Sequence, residues 1–77
     1  MINMYNNKTK INRFFLASEL RGAYHLEQLQ EMGLVLSPSE DFTQDEIENL
    51  WETSDGYELL NVYDEDCEDV YKKVFGM

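Results

Sequence analysis

The sequence predicts a small, mainly α-helical domain of three to four helices. Three observations carry that expectation. Apolar residues recur at spacings of three and four along much of the chain. One stretch opens on a complete helix-capping signature. The single proline, Pro38, sits between Ser37 and Ser39, where a loop separates two periodic segments.

The capping signature is Phe42-Thr43-Gln44-Asp45-Glu46-Ile47. Thr43 can accept from the amide of Glu46, the Glu46 side chain can reach back to the Thr43 amide, and Phe42 and Ile47 flank them as a hydrophobic staple. Ile47, Leu50 and Trp51 then fall on one face, which predicts a helix from about Gln44 to Thr53 with that face buried. Upstream, Thr9 can cap a segment whose apolar residues include Ile11, Phe14, Phe15, Leu20, Leu26 and Leu29. Gly33 is placed to end it in a left-handed conformation. Gly22 costs about 1 kcal/mol relative to Ala inside a helix, so it is expected either to divide the segment or to mark a close helix contact.

The C-terminal third admits two readings. Leu59, Tyr63, Cys67, Val70 and Val74 form one stripe on a continuous helix, with Asp55 and Glu58 as its capping box and Gly76 at its end. The alternative is an α+β domain with a strand near 57–63, because Tyr57 to Tyr63 is rich in strand-favouring residues and follows Asp55-Gly56 turn chemistry. The apolar residues do not alternate, so the helix is preferred; a helix from about Glu65 to Phe75 is expected on either reading. Residues 1–8 read as a flexible N-terminal tail and residues 9–77 as a single small acidic domain.

With 77 residues, 43% hydrophobic and 13% aromatic, the chain has the composition of one folded domain with one modest core. A domain of this size buries only about 60% of its unfolded surface, which leaves little room for a deep catalytic cleft. Cys67 is the only cysteine, so no internal disulfide forms. The start of the chain lacks an apolar signal-peptide core, and no run approaches the ~18 residues of a membrane span. The expectation is a cytoplasmic protein with no membrane partner.

Charge is the most informative property. The net charge is -10, and its distribution is uneven. Residues 1–39 hold Lys8, Lys10, Arg13 and Arg21 against Glu19, Glu27 and Glu31. From Glu40 to Asp69 there are thirteen acidic residues and no Lys or Arg; Lys72 and Lys73 close the run. A field of that sign argues against direct nucleic-acid binding, which needs a basic footprint. The basic stretch near Phe14 and Phe15 reads instead as a counterweight to the acidic end, with a head-to-tail homodimer as one possible use.

Asp64-Glu65-Asp66-Cys67-Glu68-Asp69 is the densest chemistry in the chain. A calcium loop fails on position: Asp69 stands where the turn needs Gly, and Phe75 stands where a bidentate Glu is required. His25 has no ligand at helical spacing, and Cys67 has no basic neighbour in the sequence to activate it. No nucleophile–base set and no glycine-rich phosphate loop is present, so neither catalysis nor a cofactor or metal is expected. What remains is a recognition surface made of Asp55, Glu58, Tyr63, Asp64, Glu65, Asp66, Glu68 and Asp69. Carboxylates at such spacing can imitate nucleic-acid phosphates and occupy a basic groove; Phe42, Trp51, Tyr57, Tyr63 and Tyr71 could add anchors, with core packing the alternative for each and the preferred one for Trp51.

In size and acidity the chain resembles the small inhibitors encoded by phages and mobile elements, among them anti-restriction, anti-CRISPR and uracil-DNA-glycosylase inhibitor proteins. The likeness is one of type and transfers no residues. It implies an inhibitor whose partner is a protein with a basic, nucleic-acid-binding surface. The competing expectation is an adaptor or assembly subunit that binds a protein partner through an apolar helix face.

Overall fold

The computed structural model describes residues 11–76 and is mainly helical, as the apolar spacing predicts. Four α-helices run in the order α1 (Arg13–Ala23), α2 (Leu26–Glu31), α3 (Gln44–Trp51) and α4 (Cys67–Phe75). Two 3-10 segments, Ser54–Leu59 and Asp64–Asp66, fill most of the connection between α3 and α4.

Helix α1 starts where Asn12 accepts from the Phe15 amide at 2.7 Å, satisfying one of the orphan donors of the first turn. Thr9, the expected cap, lies outside the described residues, as does the tail at 1–8. The core face of α1 is Leu16, Ala17 and Leu20, whereas Phe14 and Phe15 are 53% and 41% exposed. The segment does divide into two helices, but not at Gly22. Tyr24 and His25 are both extended and make the break, while Gly22 stays inside α1 with open space around it. Gly33 follows α2 with φ +80°, the left-handed conformation that only glycine adopts at no cost.

Helix α3 realises its capping box. The Thr43 amide donates to Glu46 Oε1 at 2.9 Å, and the Glu46 amide donates to Thr43 Oγ1 at 3.2 Å. Ile47 and Trp51 are buried and Leu50 is half-buried. The helix ends at Trp51 because Thr53 turns extended, and its hydroxyl caps the next segment by accepting from the Asp55 amide.

The continuous helix expected through Leu59 and Tyr63 is not formed, and neither is a strand at 57–63. Asp55 and Glu58 make no capping box; Thr53 is the cap. After Leu59 the chain extends, and Leu60 makes one isolated antiparallel bridge with Val35. The Leu36 amide donates to the Leu59 carbonyl (2.8 Å), and the Asn61 amide donates to that of Leu34 (2.9 Å). The physical reason lies in the side chains. Leu59, Leu60 and Val62 are all buried, and no single helical stripe can carry residues at those three positions into one core. Helix α4 resumes at Cys67 and closes on Gly76 at φ +72°, as its sequence predicts. One core joins Leu16, Leu20, Leu29, Val35, Ile47, Trp51, Leu59 and Cys67. Among the described residues, no helix is long and apolar enough to cross a membrane.

Candidate interaction surface

The two arginines of α1 are directed at the backbone of the acidic half. Arg13 donates to the carbonyls of Val62 (2.5 Å), Tyr57 (3.1 Å), Leu60 (3.1 Å) and Glu58 (3.4 Å). In a continuous helix those carbonyls would accept from amides one turn ahead; the Tyr57 carbonyl still accepts from the Leu60 amide (3.2 Å), and at Leu60 and Val62 the guanidinium takes that place. Only a planar fork of several donors can serve so many acceptors from one side chain. About two turns further along α1, Arg21 donates to the Thr53 carbonyl at 3.1 Å and lies over the Trp51 ring, 5.2 Å from its centroid. Gly56 lets this corner close: a Cβ there would stand 2.7 Å from the Trp51 carbonyl oxygen and 2.9 Å from Arg21 Nη2. The arginines are therefore engaged with main chain rather than set against the carboxylates as a counterweight.

The predicted recognition residues fall on separate stretches. Asp55 and Glu58 are exposed on the first 3-10 segment, and Tyr63, 72% exposed, lies in the extended link. Asp64, Glu65 and Asp66 form the second 3-10 segment, with Glu68 and Asp69 in the first turn of α4. Because α4 begins only at Cys67, these carboxylates gather at the positive end of a helix dipole, and Lys72 and Lys73 stand at its negative end. Part of the acidic density thus stabilises a helix terminus. Asp66 and Asp69 share a shallow groove of about 390 Å³ with Leu34, Asn61 and Lys73; Asp55 and Glu58 do not line it.

A second acidic groove, of about 460 Å³, went unread in the sequence. It is lined by Glu27 at the start of α2, by Glu48 and Asn49 of α3, by Glu52 just after it, and by His25. Gln30 helps hold these helices together, donating to the Leu36 carbonyl at 3.0 Å and pairing with the Gln44 side chain. Glu27 therefore belongs to the acidic surface although it precedes the acidic run in sequence. Spacing alone could not reveal this, because the three carboxylates come to line one groove only through the packing of α2 on α3. Among the described residues, no group of three His, Cys, Asp or Glu side chains is arranged to hold a metal ion.

Cys67 is buried and its thiol donates to the Tyr63 carbonyl at 3.4 Å. Burial pushes the thiol upward from its ordinary range, Asp64 and Asp66 add to that, and Arg13 opposes it. An inert structural thiol follows.

Aromatic rings line the seam between α1 and α4. Phe15 meets Tyr71 at 5.6 Å, Tyr71 meets Phe75 at 4.8 Å, and Phe75 meets Tyr24 at 6.4 Å between centroids. Phe14 pairs separately with Tyr57 at 5.9 Å. Phe15 keeps 41% of its surface open, and the other three rings of the seam are half-buried.

No protein-family model, curated protein or solved structure matches the chain. Function has to be read from these residues.

Proposed function

We propose that this chain is a small binding protein, an inhibitor whose acidic surface occupies the basic, nucleic-acid-binding groove of a partner protein. One observation supports the reading above the others. The described residues carry sixteen carboxylates and four basic side chains, and two of those four, Arg13 and Arg21, are committed to backbone carbonyls. The exterior is left with an unbalanced negative field, which steers a basic partner and repels nucleic acid itself. Such a domain competes with nucleic acid for its partner without touching it.

The adaptor reading is favoured by one separate feature, the aromatic seam between α1 and α4 with Phe15 exposed on it. Salt separates the two, since a charge-driven complex weakens with ionic strength and an apolar one does not. The test immobilises the chain, loads a bacterial lysate at low salt, and elutes with duplex DNA. Nucleic-acid-binding proteins released by the duplex are the expected result. They should no longer be retained when Glu48 and Glu58, which cap no helix, are both reversed to Lys. Retention by that variant together with indifference to the duplex would contradict the inhibitor reading.

A further inference from the structure

We propose that the seam of Phe15, Tyr71, Phe75 and Tyr24 receives an arginine-bearing amphipathic helix of the partner. The proposal rests on the reading of the chain as a binder of basic proteins, and names the place where contact is anchored.

The rings form a continuous line, with successive centroids 5.6, 4.8 and 6.4 Å apart. That line crosses from α1 to α4; Tyr24, Tyr71 and Phe75 pack against the core and keep part of their surface open, and Phe15 is 41% exposed. Two carboxylates border it. Glu19 stands one turn after Phe15 on α1, and Glu68 stands three residues before Tyr71 on α4. Both are half-buried, whereas most of the acidic residues are exposed. Lys72, one turn beyond Glu68, is the basic residue of this border on α4. A half-buried carboxylate beside an aromatic face suits a guanidinium, which stacks on the ring and donates two parallel hydrogen bonds to the carboxylate from its edge. The domain already uses stacking of this kind internally, where Arg21 lies over Trp51 at 5.2 Å.

Charge decides the occupant. A second copy of the chain would bring two domains of net charge -10 together over this seam, and a neutral apolar helix would leave Glu19 and Glu68 desolvated without partners. A helix with Leu along one stripe and Arg beside it covers the rings and satisfies both carboxylates. Aromatic side chains with a rim of charge are also the usual anchors of helix-in-groove recognition.

The test uses a fluorescein-labelled synthetic helix of Leu and Arg at i, i+3, i+4 and i+7 spacing, with a Lys-for-Arg twin, and reads anisotropy against the full chain. The Arg peptide should bind the intact protein several-fold tighter than the Lys twin, because ammonium stacks less well and cannot pair bidentately. Phe15→Ala should weaken the Arg peptide about tenfold, the loss expected for one aromatic anchor. Tyr71→Phe keeps the packing and the ring, so binding should persist. Glu19→Gln should reduce the Arg preference while leaving the melting temperature near wild type. Sedimentation of the free chain should show a monomer, and a dimer dissolved by Phe15→Ala would overturn the choice of occupant. If Phe15→Ala and Glu19→Gln bind like wild type while Glu48→Lys with Glu58→Lys does not, the seam proposal is wrong and the acidic-surface reading stands. If every variant binds as wild type does, both fail.

Discussion

Helix α3 and the stretch from Ser54 to Asp66 are neighbours in the chain and opposites in what specifies them. In α3, the instructions are local: Thr43 and Glu46 cap each other within one turn, and Ile47 and Trp51 lie one turn apart on the buried face. The following stretch has equally suggestive local chemistry, yet it becomes two short 3-10 turns and an extended link. Its shape comes from residues more than forty positions away, through Arg13, and from Arg21 stacked on Trp51. A segment whose carbonyls are taken by a distant side chain is not obliged to satisfy them within a helix. Local propensity is overruled where a long-range donor offers the backbone another partner.

That contrast predicts an order of sensitivity. The largest expected effect is Arg13→Ala, which removes the donor of the Leu60 and Val62 carbonyls and leaves that of Tyr57 with the Leu60 amide alone; about 3 kcal/mol of stability should be lost. Chemical denaturation monitored by Trp51 fluorescence measures it directly, and a loss under about 1 kcal/mol would mean water replaces the guanidinium easily. Next comes Gly56→Ala. The new Cβ meets main-chain atoms of Trp51 that cannot move aside, so overpacking should cost about 2–3 kcal/mol. An unchanged melting temperature in that variant would show that the corner beside Arg21 is looser than its geometry. The smallest is Thr43→Ala at about 1 kcal/mol, typical of a lost N-cap. Because that cap is local, hydrogen exchange should rise in the first turn of α3 and remain unchanged around Tyr57 to Val62.

The same division explains what could be read beforehand. The capping box at Thr43, the buried Trp51, the left-handed Gly33 and Gly76, and the helical class are all legible, because each depends on residues within one or two turns. On α1 the spacing of three and four takes in Phe14 and Phe15 as well as Leu20, and does not say which face meets the core; Leu16, Ala17 and Leu20 do. The acidic surface was half legible. Its density from Glu40 to Asp69 is plain in the sequence, but the groove joining Glu27 to Glu48 and Glu52 depends on how α2 packs against α3. A helix from about Glu65 to Phe75 is legible, but spacing does not reveal that Asp64 to Asp66 form a separate turn ahead of it, so that the run surrounds a helix start where carboxylates stabilise.

Whether the acidic half is held by arginine–carbonyl bonds or by attraction between opposite charges is decided most directly by Arg13→Lys. Lysine keeps the positive charge beside the carboxylates but is a compact point charge that cannot fork across four carbonyls. If backbone capture is the cause, Arg13→Lys should lose most of what Arg13→Ala loses, about 2 kcal/mol or more by denaturant titration, and the loss should persist at high salt. A lysine variant as stable as the native protein at low salt, weakening only as salt is added, would show that charge alone holds the segment and would contradict the account.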